Sequence, residues 1–313
     1  MATKKAKPGR TLVRVKGRTP AFSGWQIEPP PGWSKGRKCY RMDELTVTEF
    51  GKLASEKYDA ERWHNDSLRR RPAQSWDLNT NRNQSAEMAR TGWKEGVAEA
   101  KKALAEIRGK LTAGIWGEAE TEYHDVCGPR FDLDAYLDGE PECYATTETA
   151  ADRLGSQMDL WVAVDFLAYI TAESAMRRGA AIMALVRHLQ ASGIDVRLTG
   201  YSAVQSVGHD ALYTVRIADQ SGAISSDRLA FALAHPAFLR RLIFSAMELS
   251  VENPGHGYGT YLKGCESCDI MSIFAGRQID YLIPPPSSNR DFETPERAAA
   301  WLVGHARKMG LAK

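Results

Sequence analysis

The sequence predicts an α/β protein: a three-layer core with a mostly parallel sheet flanked by helices, preceded by a basic arm and a helical segment. Two observations carry this. Residues 159–199, DLWVAVDFLAYITAESAMRRGAAIMALVRHLQASGIDVRLT, run as a buried strand, a long amphipathic helix and a second strand. A strand–helix–strand unit of that length places its two strands parallel. Further apolar alternations follow at residues 212–217, 228–234 and 279–283, enough to extend one sheet.

Residues 1–45 are rich in Lys, Arg, Gly and Pro and show no periodicity, so they read as an arm or a loop laid over the body. Trp25 and Trp33 each carry enough apolar area to dock against it. Residues 46–115 form the helical segment. A short helix begins at Thr46 or Thr48, residues 61–76 are irregular and basic, and Ser85 caps a long helix to about residue 111. Met88, Trp93, Val97, Ala100 and Leu104 step by three to five along one face of it.

The core occupies residues 116–313. Residues 123–143 hold turns at Gly128-Pro129 and Gly139-Glu140-Pro141. Residues 161–166 are the first buried strand. Thr171 is the N-cap of the next helix, Glu173 complements its dipole, and Gly193 stops it. Residues 194–198 and 212–217 are strands, with His209-Asp210 in the turn between them, and residues 228–234 are a fourth strand. His235-Pro236 opens a helix through residue 248, and Thr294-Pro295-Glu296 opens the last.

Net charge is only +2, but residues 1–18 contain seven cations and no acid. No apolar run is long enough to span a bilayer, and the basic N-terminus lacks the apolar core of a secretory signal. Five unevenly spaced cysteines do not make a disulfide framework in 313 residues, which points to the cytoplasm.

The run RGAAIMALV at residues 178–186, Gly139-Glu140-Pro141-Glu142-Cys143, LAFALAHPAFLRR at residues 229–241 and Gly92-Trp93-Lys94-Glu95-Gly96 together resemble a family of uncharacterised proteins of tailed bacteriophages. That resemblance implies a phage context and supplies no activity. The strand–helix–strand order is similar to a von Willebrand A-type or Rossmann-like core. Such A-type domains bind Mg²⁺ through Asp-x-Ser-x-Ser after the first strand. Here Asp165 is followed by Phe166 and Leu167, with Tyr169 in place of the second serine, so the resemblance implies a degenerate metal site.

The leading functional candidate is non-enzymatic binding of nucleic acid, favouring single-stranded DNA, in replication or early transcription. Lys4, Lys5, Lys7, Arg10, Arg14, Lys16 and Arg18 would release counterions, as would Arg69, Arg70 and Arg71. Trp63 and Trp76 would stack on bases, and Arg82 and Arg90 would extend the track. The alternative is an adaptor that binds a phage or host protein through loops at the strand ends.

Other chemistry is thinner. Cys265 and Cys268, with His124 and Cys127, have the spacing of a Cys₃His zinc site, set against ordinary thiols. Ser202, Ser206, His209 and Asp210 cluster in sequence, yet no Gly-x-Ser-x-Gly elbow accompanies them. Glu118, Glu120 and Glu122 read as a solvated edge. Residues 255–259, GHGYG, lack the Lys-Ser/Thr of a phosphate loop, and Arg240 and Arg241 sit on an amphipathic helix. No resident cofactor is expected.

Overall fold

In a computed structural model of the chain, residues 11–15, 23–29, 37–55, 78–110, 120–125, 130–131, 144–149, 157–166, 170–206, 209–218, 226–249, 260–261 and 266–311 are described. The predicted strand–helix–strand unit is present. Strand β8 (Gln157–Ala163) leads through helix α4 (Ala172–Ala191) to β9 (Asp195–Ser206), and the two strands pair in parallel, Trp161 opposite Thr199. Thr171 caps α4, accepting from the Ser174 amide at 3.2 Å.

The sheet around this unit is mixed rather than mostly parallel. β10 (His209–Ala218) pairs antiparallel with β9, because only two residues separate them and a parallel crossover needs a dozen or more. His209 and Asp210, expected in the turn, are the first two residues of that strand. On the other side of β8 runs β12 (Tyr281–Ile283), in parallel.

Beyond β10 the sheet is built from the segment expected to be an arm. β1 (Thr11–Val15), β2 (Gly24–Ile27) and β3 (Lys38–Met42) form an antiparallel meander, and β3 joins β10 in parallel. The physical reason lies in the alternation of β2 and β3. Ile27 and Cys39 pack on one face of the sheet, Tyr40 and Met42 on the other. β4 (Leu45–Thr46) and β11 (Thr260–Tyr261) add short pairings to β10 and β9. A separate antiparallel sheet holds β5 (Glu120–Asp125), β7 (Tyr144–Thr149) and β6 (Arg130–Phe131).

Most helices pack on one face of the main sheet. α1 (Val47–Ser55) starts at Thr46, whose hydroxyl accepts the Glu49 amide at 3.2 Å while the Glu49 carboxylate accepts the Thr46 amide at 2.9 Å. The long helix predicted from residue 85 is two helices, α2 (Arg82–Thr91) and α3 (Lys94–Lys110), broken at Gly92 with φ +91°. Asn81, not Ser85, is its cap: Asn81 and Gln84 exchange side-chain-to-amide bonds at 2.9 and 2.8 Å.

Residues 228–234 are not a strand but most of helix α5 (Ser226–Ala234). Leu229, Phe231 and Leu233 fit a period of two, yet Ala230, Ala232 and Ala234 are equally buried, so the segment is covered all round and its alternation signals nothing. A π-helical turn (Phe238–Ile243) and α6 (Phe244–Leu249) follow, in place of one regular helix from Pro236. At the junction His235 is buried, its Nδ1 accepting the Ala237 amide at 3.1 Å and its Nε2 3.3 Å from the Thr80 hydroxyl. Helix α7 (Cys268–Ala275), which sequence patterning missed, covers part of the opposite sheet face through Met271 and Phe274. Helix α8 (Pro295–Lys308) closes the chain from its Thr294 cap. Among the described residues no single helix is long and apolar enough to cross a membrane.

The α4–α5 contact makes a sharp prediction. A Cβ on Gly179 would lie 2.4 Å from the Ala234 Cβ and 2.7 Å from its backbone nitrogen. Gly→Ala inside a helix normally gains up to about 1 kcal/mol. Here Gly179→Ala is expected to lose about 2 kcal/mol through overpacking, read as a lower urea midpoint.

Candidate nucleic-acid interface

The sheet face that α7 only partly covers carries a connected set of arginines and aromatic rings. Alternation along β1, β2 and β3 puts Arg14, Trp25 and Arg41 in one register row. The Arg14 guanidinium lies 4.7 Å from the Trp25 ring centroid and grips Asp43 through two bonds of 2.5 and 2.6 Å, which raise its pKa. Arg41 donates to the Ala275 carbonyl at the end of α7. The left-handed Gly276, φ +70°, lets the chain turn away against that guanidinium. Burial lowers the pKa of Arg41, and Arg277 adds to the effect.

A second group sits beside this row on β8 and β9. The Arg277 guanidinium lies 5.0 Å from the Trp161 ring centroid and contacts Asp159 at 3.0 Å, Glu44 at 2.8 Å and the Thr199 hydroxyl at 3.0 Å. Arg197 donates to the other Glu44 oxygen at 2.8 Å. Burial opposes the Glu44 charge, but Arg277 and Arg197 hold its carboxyl below the usual range. For Asp159, burial outweighs the same two arginines and raises the carboxyl.

Four guanidiniums thus meet three carboxylates, Asp43, Glu44 and Asp159, and a fourth carboxylate, that of Asp280, accepts the Asp159 amide at 2.8 Å beside them. Between the two groups opens a cleft of about 190 Å³, with Trp25 and Trp161 in its walls and Arg41 and Arg277 beside them. That is below the size of a drug-type pocket, and suits one flat group of an extended ligand.

Of the residues expected to bind nucleic acid, Arg14 is on this face. Arg82 and Arg90 are not: they belong to α2, which packs with the helices on the other side of the sheet, and Arg90 is paired with Glu87 at 2.5 Å. Lys4, Lys5, Lys7, Arg10, Lys16, Arg18, Trp63, Arg69, Arg70, Arg71 and Trp76 lie outside the described residues.

Of the expected zinc ligands, His124 is on β5 and Cys268 is the half-buried first residue of α7, while Cys127 and Cys265 lie outside the described residues. Among the described residues no three His, Cys, Asp or Glu side chains come together to hold a metal ion. Ser202, His209 and Asp210 are not assembled into a triad. Asp210 is held by Arg37 at 2.7 and 2.9 Å, His209 stands edge-on to Tyr40, and Ser202 is buried beside Asp165. Residues 255–259 lie outside the described residues. In the π-helical turn the Arg240 guanidinium lies 5.4 Å from the Phe244 ring centroid.

Sequence reasoning singled out Trp25 only as a docking residue and missed Arg41, Glu44, Arg197 and Arg277. The available signal was the alternation of GWQI and KCYRM, which sets Trp25 on the face of Ile27 and Arg41 on the face of Cys39. Neither a curated protein nor a solved structure matches the chain. Its sequence is matched over residues 41–312 by the DUF7192 family, a domain of unknown function, and the chain belongs to that family.

Proposed function

We propose that the protein binds single-stranded nucleic acid, DNA in preference, through the face formed by β1–β3, β8 and β9, and that it does so without catalysing a reaction. The observation that carries this reading is the Arg14–Trp25–Arg41 row at the mouth of the cleft. A strand needs cations for its phosphates and ring faces for its bases, and this row supplies both within three neighbouring strands. A duplex cannot insert a base into the cleft, so the reading favours single strands.

Along the sequence, Arg10 immediately precedes β1, with Lys4, Lys5 and Lys7 just before it, and Lys16 follows Val15, with Arg18 two residues further on. The phage setting, the role in replication or early transcription and the von Willebrand A-like character of the core belong to the same proposal and rest on sequence resemblance.

Fluorescence anisotropy with labelled oligonucleotides tests it. Trp25→Ala is expected to raise the Kd for a single strand about tenfold, with circular dichroism confirming the fold. Removing residues 1–10 should flatten the dependence of log K on log salt, because fewer counterions are released. Equal affinity of wild type and Trp25→Ala would contradict the site. Salt-insensitive binding would contradict the mechanism.

A further inference from the structure

A larger cavity, about 590 Å³, lies at the β12 edge of the sheet between α7, residues 284–287 and α8. Its size falls in the range of small-molecule sites, about 300–1,000 Å³. One face of α8 lines it: Trp301, Gly304, His305 and Lys308 stand at i, i+3, i+4 and i+7.

Gly304 is the informative member. Glycine inside a helix is less favourable than alanine. A Cβ built on Gly304 would meet nothing within 4 Å, so no neighbouring element requires the glycine. The space a side chain would take is the cavity, and close approach of a ligand to backbone is a recurrent use of glycine.

The surrounding groups define what would fit. The Trp301 ring packs on the His305 imidazole with centroids 4.2 Å apart, and the prolines at 284–286 give a second apolar wall. His305 Nδ1 is 2.9 Å from the Tyr281 hydroxyl. Burial lowers the His305 pKa to about 4 and raises that of Tyr281 to about 12, so the pair is neutral near pH 7. Positive charge comes from Lys308 and from Arg178, only 1% exposed, which also donates to the Pro284 carbonyl at 3.1 Å. Asp291 and Glu266 add acceptors for hydroxyl or amino groups.

We propose that this cavity binds a small planar aromatic anion, its ring against Gly304 and Trp301 and its carboxylate or phosphate toward Arg178. The site is separate from the sheet face and does not depend on it. Isothermal titration calorimetry of the full chain with adenosine monophosphate, benzoate and inorganic phosphate tests it.

One ring-bearing anion should bind with one site per chain. Gly304→Leu should weaken it at least about tenfold while raising or preserving Tm, since a helix glycine is removed. Gly304→Ala, the smaller step, should shift affinity the same way by less and covers a folding failure of the leucine variant. Trp25→Ala should leave this binding unchanged. Binding of the nucleotide alone assigns a phosphate ligand, and binding of benzoate alone a carboxylate. The proposal is overturned if neither binds, if both Gly304 variants bind as tightly as wild type, or if inorganic phosphate binds as tightly as the ring-bearing anions.

Discussion

Glu44→Gln is expected to destabilise the protein by about 2 kcal/mol and at the same time tighten its hold on a single-stranded oligonucleotide several-fold. The two effects have one cause. Glu44 accepts from Arg197 at one oxygen and Arg277 at the other, both at 2.8 Å, and its side chain is only 19% exposed. Removing one partner of a fully buried ion pair costs about 3–5 kcal/mol, and partial solvent access here reduces that. Neutralising Glu44 leaves Arg277 its contact with Asp159 and takes from Arg197 the carboxylate it holds. The face then carries one more net positive charge beside the cleft. Each additional phosphate neutralised steepens the salt dependence by about 0.9 in log–log slope on duplex DNA and about 0.7 on single strands. Urea unfolding and a salt series on the same sample separate the two readouts. Lower stability with unchanged affinity would mean that Glu44 and its arginines are only a structural clamp.

Acidification from pH 6.5 to 4 should cost about 3 kcal/mol of stability. His235 and His305 are buried, and burial lowers both from 6.5 to about 4. Between those values the unfolded chain binds their protons and the folded chain does not. The stability they contribute is therefore complete above pH 6.5 and lost as pH falls toward 4. Asp165 has the opposite sign. Burial raises it from 3.8 to about 7, against the Ser202 side chain, the Ala203 amide and the charge of Arg178. Its contribution is complete below pH 3.8 and lost as pH rises through 7. Over the shared window these two histidines, joined by His188, which burial lowers in the same direction, oppose one carboxyl, and the histidines win by about one proton or more. Asp165→Asn removes the opposing group and should steepen the acid loss. His235→Asn, which keeps an acceptor for the Ala237 amide, should flatten it. Urea midpoints at pH 4, 5 and 6.5 provide the check, and a stability independent of pH over this window would contradict the assignment.

Long, strongly patterned elements were legible in the sequence. The β8–α4–β9 unit, the Thr171 and Thr294 caps and helix α1 follow from periodicity and capping chemistry within a few neighbouring residues. Short strands were not. In β2 and β3 four or five residues alternate between a helix-covered face and a partly covered one, and cations and prolines around them mask the pattern. The break at Gly92 was hidden because Met88, Trp93 and Val97 keep helical spacing across it. Helix α5 was misread because its small alanines imitate the inward–outward alternation of a strand.

The candidate interface was harder still. Arg14, Trp25, Arg41, Glu44, Asp159, Trp161, Arg197 and Arg277 come from separate segments and form no motif. Only strand register and the packing of α7 bring them together. The arm's charge was visible in composition, whereas the partners of each arginine depend on tertiary structure.

The most direct test of the nucleic-acid reading is ultraviolet cross-linking of the full chain to a single-stranded oligonucleotide, followed by mass spectrometry of the linked peptides. Cross-links are predicted in the peptides that contain Trp25 and residues 38–44, lost in Trp25→Ala and suppressed by high salt. Cross-links confined to α2 or α3 on the opposite face, or none at low salt, would contradict it.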